Sequence, residues 1–191
     1  MTRVLIPGAG RMARRVRALV PGFEGFELLG MISRIRPENG SATEWFGSLE
    51  NADASADLLI DFTLPGGTRV AADWCAANKV AILSGTTGLT GDDISALESA
   101  ATKVPVLWAS NLSEGVALTT ALVRQAAGRL SVDTKVSISD IHHQHKKDAP
   151  SGTALSLSAA VTEARSKGLC TSSATEVDEP AFSSRREGEV I

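Results

Sequence analysis

Short apolar runs alternate with amphipathic stretches along the first half of the chain, and the alternation predicts the elements. Val4 to Ile6 reads as a strand, Arg11 to Leu19 as a helix and Phe26 to Ile32 as a second strand. Asp57 to Phe62 is a third strand, Thr68 to Ala77 a helix and Val80 to Leu83 a fourth strand. Asp92 to Ala101 follows as a helix and Val104 to Ala109 as a fifth strand. Arg36 to Ala56 carries no clear period and is expected to be loop, with room for one short turn of helix. Strands and helices alternating over short connections predict a parallel sheet covered on both faces. Ligands of such sheets bind beyond the carboxyl ends of the strands.

From Asn111 the pattern changes. Val116 to Leu130 predicts a longer helix, Thr134 to Ile141 a half-buried strand and Ser151 to Lys167 another helix. Cys170 to Pro180 is polar and turn-rich, and Ala181 to Ile191 reads as the start of a strand or hairpin. The expected class is therefore α/β: a Rossmann-type dinucleotide-binding domain over residues 1–110, then a smaller mixed α/β domain with an incomplete sheet over 111–191. The second part has too few elements for much core of its own, so either it leans on the first domain and on other subunits or it is missing elements.

Composition removes several function classes. The 191 residues carry a net charge of −3 and no Tyr, so there is neither a broad basic field nor an aromatic platform for nucleic acid. Apolar runs such as Leu58 to Ile60 fall far below the ~20 residues of a membrane span, and the N-terminus lacks the pattern of a signal peptide. Cys75 and Cys170 stand far apart in no metal spacing, which suits two free thiols in a reducing compartment, by default the cytoplasm.

Gly8-Ala9-Gly10-Arg11-Met12-Ala13 fits G-x-G-x-x-A directly between the first strand and the first helix. The first glycine permits the turn and the second lets backbone approach a pyrophosphate. A small third residue lets helix and strand pack, while the helix start offers unpaired N–H groups. The second strand ends in Ser33-Arg34 with no acid before Glu38. A carboxylate there would repel a 2′-phosphate, whereas Arg34 could pair with one, so NADPH is expected over NADH. A solvated arginine loop is the plainer alternative. Asp61-Phe62-Thr63, Gly85-Thr86-Thr87-Gly88 and Ala109-Ser110-Asn111 stand at later strand ends, where hydroxyls and bare backbone could bond a nicotinamide and its ribose.

His142, His143 and His145 cluster with Lys146 and Lys147 ahead of Asp148-Ala149-Pro150-Ser151-Gly152-Thr153. Clustered histidines can bind zinc or nickel, but adjacent strand positions face opposite ways, no cysteine is near, and the lysines would repel a cation. A solvated charged loop is a second alternative. The third, which we prefer, is an anion-binding acid site with no metal. Ser151 can cap the following helix, Gly152 and Thr153 offer backbone N–H groups to a carboxylate, and Lys146 and a histidine supply charge and a proton.

The stretch Ile141 to Ala154 closely resembles the signature of 4-hydroxy-tetrahydrodipicolinate reductases, formerly called dihydrodipicolinate reductases. The glycine-rich turn, Asp61-Phe62-Thr63-x-Pro, Gly85 to Gly88 and Asn111-x-Ser113-x-Gly115 resemble the family's other blocks in the family's order. The resemblance implies reduction of a small cyclic dicarboxylate to tetrahydrodipicolinate by NADPH or NADH, in lysine and diaminopimelate biosynthesis, by a tetramer. It implies that His142 is the acid/base, Lys146 the proton donor, and that His143, Gly152 and Thr153 hold substrate carboxylate. It places Gly85, Thr86, Thr87 and Ala109, Ser110, Asn111 and Leu112 on the nicotinamide side, while the glycine-rich turn and the second strand end offer Gly8, Gly10, Arg11, Met12 and Arg34 to the rest of the nucleotide. Ala13 stands where many members have Gly, Ser33 where an acid is common, and Leu112 where an aromatic is frequent. Ser184 to Ile191 resembles the middle of the family's second sheet, so the family's remaining strands and closing helix are expected to be absent from this chain. A non-catalytic dinucleotide-binding remnant or fragment, and a reductase of another small imine, are the competing readings.

Overall fold

The computed structural model describes residues 1–36, 45–131, 133–142, 144, 149–168 and 178–188, which form two compact units, Met1–Ser110 and Asn111–Ile191. In the first unit, β1 (Thr2–Pro7) is followed by α1 (Arg11–Leu19), β2 (Phe26–Ile32), β3 (Trp45–Phe46) and β4 (Leu58–Asp61). Then come α2 (Gly67–Asn78), β5 (Ala81–Ser84), α3 (Gly91–Ala101) and β6 (Val106–Trp108). All six strands are parallel, in the order β3-β2-β1-β4-β5-β6. This is the Rossmann arrangement, with its topological switch between β1 and β4.

Side-chain alternation along β1 shows why the sheet needs helices on both faces. Val4 and Ile6 pack with Met31, Val20 and Ala13 of α1. Leu5 points the other way, into a cluster with Leu59, Ile82, the α2 residues Ala71, Ala72 and Cys75, and Leu97 of α3. The segment expected to be loop holds β3, which pairs with Met31 and Ile32 of β2. A two-residue strand is too short to show a period in sequence. It is held by Ser33 N–H donating to Phe46 O at 3.0 Å and by the Trp45 indole donating to Ser33 O at 2.8 Å. The expected turn of helix is the 3₁₀ segment Leu49–Asn51.

The second unit contains α4 (Glu114–Ala127), β7 (Ser137–His142), α5 (Gly152–Gly168) and β8 (Ala181–Arg186). Ser113 caps α4, which stops at Gly128, slightly earlier than the hydrophobic run suggests. β8 is not the partner of a hairpin; it lies parallel to β7 across the α5 crossover. β7 starts at Ser137 and reaches His142, one residue beyond the apolar alternation, because His142 pairs with Arg186 in the ladder. The core of this unit is small: Ala127, Val161 and Ala164, with Val123 and Val136 against them. Among the described residues, no helix is long and apolar enough to cross a membrane.

Candidate active site

The carboxyl end of β1 turns through Gly8 at φ +89°, a left-handed conformation that favours glycine. Gly8 N–H donates to Ile32 O at 2.7 Å, which ties the turn to the end of β2. Gly10 precedes α1, no side chain caps that helix, and its first turn holds no acid. A Cβ placed on Gly10 would meet nothing within 4 Å, so backbone N–H groups at the helix start stay open to an anion. Arg11 and Met12 are exposed on the first turn, and Ala13 is buried against the sheet.

A cleft of about 720 Å³ opens beside this turn at the β1/β4 switch. Gly8, Gly10, Ser33 and Arg34 line one part of it, and Phe62 and Thr63 line another. These features fit a dinucleotide: a glycine turn for pyrophosphate, and an exposed guanidinium at the end of β2. The motifs did not single out Ser48, Leu49 and Glu50, which also line the cleft. Their segment carries no period, and only the pairing of β3 brings it to the sheet edge.

The polar clusters at the later strand ends are joined through one buried carboxylate. Asp61 is fully buried, and its Oδ1 accepts the Thr63 N–H at 2.9 Å and the Thr63 hydroxyl at 2.6 Å. Its Oδ2 accepts the hydroxyls of Thr68 (2.7 Å), Ser84 (2.7 Å) and Thr86 (3.1 Å). Thr86 is thus turned inward, while Thr87 is exposed. The Thr86 carbonyl accepts from the Trp108 indole at 3.0 Å, and Ala109 N–H donates to Ser84 O at 3.1 Å. A Cβ on Gly85 would lie 2.1 Å from Cε1 of Phe62, so only glycine leaves room for that ring. A second buried acid, Asp93, completes a capping box with Thr90 and accepts Gly66 N–H at 2.8 Å. Together the two carboxylates brace the loops at the carboxyl edge of the sheet.

In the second unit, Pro150 precedes Ser151, whose hydroxyl accepts Ala154 N–H at 3.1 Å and caps α5. Ser151 N–H donates to Asp140 Oδ2 at 3.1 Å. Gly152 and Thr153 form the first turn of α5, and the Asn111 side-chain amide donates to the Thr153 hydroxyl at 3.0 Å. Leu112 is about half exposed, and Ser110 closes the first unit. His142 ends β7. Burial pushes the Asp140 carboxyl upward, but Ser151, Ser184 and His142 outweigh it and hold it down at about 2. No sequence motif marks Asp140. Its position two residues before His142 on one strand was the available signal. His143, Lys146, Glu38 and Cys170 lie outside the described residues.

The family model described as dihydrodipicolinate reductase, N-terminus, matches residues 2–112, and the one described as dihydrodipicolinate reductase, C-terminus, matches residues 115–191. The 4-hydroxy-tetrahydrodipicolinate reductase of Zymomonas mobilis is 40% identical over 165 residues, which cover 86% of this chain and 63% of that protein. The reductase of the same name from Xanthomonas campestris pv. campestris (strain B100) is 36% identical over 193 residues, covering 99% of this chain and 76% of that protein. Among solved structures, a dihydrodipicolinate reductase from Paenisporosarcina sp. TG-14, with dipicolinate bound, superposes with a TM-score of 0.79 at 25% identity. That match covers 100% of this chain and 80% of the other. The chain thus spans a little under two thirds of the Zymomonas protein's length, and both of its units belong to the dihydrodipicolinate reductase family.

Proposed function

We propose that this chain reduces 4-hydroxy-tetrahydrodipicolinate to tetrahydrodipicolinate with a nicotinamide dinucleotide, NADPH in preference to NADH. The observation that carries the reading is an anion-directed backbone site in each of the two units. One is the Gly8–Gly10 turn at the uncapped start of α1, and the other is the start of α5 behind Ser151.

In this reading the first unit holds the nucleotide. The N–H groups of α1 and Gly10 meet the pyrophosphate, and Arg34 meets a 2′-phosphate through charge-assisted hydrogen bonds. Exposed Thr87, with the backbone of Gly85 and Thr86 and of Ala109 to Leu112, borders the nicotinamide. The bound nucleotide supplies a hydride. The second unit holds a dicarboxylate: Gly152 and Thr153 present backbone N–H groups at the positive end of α5, joined by His143. Loss of the 4-hydroxyl as water leaves a conjugated imine; hydride addition to it leaves electron density that must take a proton, and His142 and Lys146 are the groups suited to supply it. The Paenisporosarcina protein holds dipicolinate, a dicarboxylate of the class proposed for this site, which supports the reading. A tetramer working in the cytoplasm completes the proposal.

Kinetics of two variants test the assignment. Lys146→Ala should lower turnover far more than nucleotide affinity. Arg34→Ala should weaken NADPH by about 1–2 kcal/mol, the worth of a charge-assisted pair at an exposed site, and leave NADH nearly unchanged. Equal losses for both nucleotides would remove Arg34 from the ribose phosphate.

A further inference from the structure

β7 carries Asp140 and His142 two positions apart, so both side chains leave the same face of the strand. That is the less exposed face, while Ser139 and Ile141 point to the open one. His142 Nδ1 and Asp140 Oδ1 stand 3.5 Å apart. Both atoms are shielded from solvent, and neither has a hydrogen-bond partner among the described residues. A buried acceptor and a buried ring nitrogen without a hydrogen bond are each costly. One proton on Nδ1, lying between the two atoms, satisfies both at once.

The surroundings fix Asp140 in this role. Its other oxygen is taken by the Ser151 N–H at the start of α5. From β8, Ser184 is its register partner, and Arg186 stands with Nη1 3.8 Å from Oδ1. Cationic and N–H groups around the carboxylate favour the ionised acceptor, which is the form that asks for an N–H from the imidazole. The same carboxylate thus touches the capping residue of α5 and the histidine at the end of β7.

We propose that Asp140 is the positioning residue of His142: it holds the imidazole as the Nδ1–H tautomer, leaves Nε2 as the nitrogen that exchanges a proton, and sets that nitrogen in register with the start of α5. This rests on His142 being the acid/base of the reductase reading. The proton balance is simple: Nε2 gives up or regains one proton per turnover, and Nδ1 keeps its own against Asp140.

The test is the imidazole ¹⁵N spectrum of the full chain, with His142 assigned by loss of its signals in His142→Gln. In the parent chain, neutral His142 should be protonated at Nδ1. In Asp140→Ala the population should move to the Nε2–H form that free histidine prefers. Asp140→Asn, which keeps the shape, should also lose the fixed tautomer, and this covers the case in which the alanine variant does not fold. Turnover should fall about 10²-fold in Asp140→Asn, the lower end of what a general acid–base group contributes, with nucleotide KM unchanged. Asp140→Glu should restore part of it. An unchanged tautomer in the variants, or a turnover loss below about threefold beside an active parent, overturns the proposal. If the parent chain shows no turnover, the reductase reading fails separately, and the spectrum still decides the role of Asp140.

Discussion

Replacing Asp61 should destabilise the first unit, and the size of the effect can be worked from its partners. In Asp61→Ala, the buried hydroxyls of Thr68, Ser84 and Thr86 and the Thr63 N–H all lose their acceptor. Hydrogen bonds to a charged group are worth about 1.5–3 kcal/mol each, but hydroxyls rotate and partly re-pair. Removing the buried charge itself returns some desolvation energy. The net expectation is a loss of about 3–5 kcal/mol, a large share of the ~5–15 kcal/mol that holds a typical domain together. Asp61→Asn keeps the volume and keeps an oxygen for Thr63. Its amide would face three hydroxyls, of which two can turn to accept, so the loss should be about 1–2 kcal/mol. Trp45, Trp74 and Trp108 all lie in the first unit, so urea unfolding followed by tryptophan emission reports on that unit. An alanine variant within about 1 kcal/mol of the parent would show that Asp61 does not hold these loops together, and an asparagine variant as weak as alanine would refute the re-pairing of its amide with the hydroxyls.

Further expectations concern separate parts of the chain. Asp57 accepts from the Arg3 backbone and guanidinium, and its carboxyl is held at about 2 against an ordinary 3.8. A depressed carboxylate contributes stability above its unfolded value, lost as pH falls through the folded one. The parent should therefore lose stability more steeply between pH 3.8 and pH 2 than Asp57→Asn does, and identical acid profiles would remove the pair from the account. Cys75 is fully buried, and burial, with the Asp61 charge, pushes its thiol up to about 12. In a Cys170→Ser background, Cys75 should resist thiol reagents until the chain unfolds, and rapid labelling of the folded protein would contradict its place in the core. Gly85→Ala puts a methyl group into the Phe62 ring, which must shift at a cost of about 1–3 kcal/mol. Because Phe62 lines the cleft, calorimetry should find weakened nucleotide binding, and unchanged affinity would place Phe62 away from the ligand.

Most of the first unit is legible in the sequence because its strands are long enough to carry an apolar pattern and its turns need glycine. The turn at Gly8 needs a left-handed residue, and Pro150-Ser151 starts α5 by a capping chemistry that sequence states directly. What sequence does not state is direction. Asp61-Phe62-Thr63 and Gly85 to Gly88 look like ligand-facing polar clusters, yet the hydroxyls of Thr63, Ser84 and Thr86 converge on Asp61 inside the protein. β3 escapes because two residues have no period. Asp140 escapes for a related reason: ending the strand at Ile141 leaves His142 outside the ladder and hides the two-residue spacing that aligns them.

We propose that this chain is a reductase with its nucleotide on the glycine turn. The most direct test is oxidation of NADPH by the chain while its substrate is generated in place by the preceding synthase. Oxidation should depend on the substrate and collapse in Lys146→Ala. Nucleotide binding without substrate-dependent oxidation would contradict the proposal.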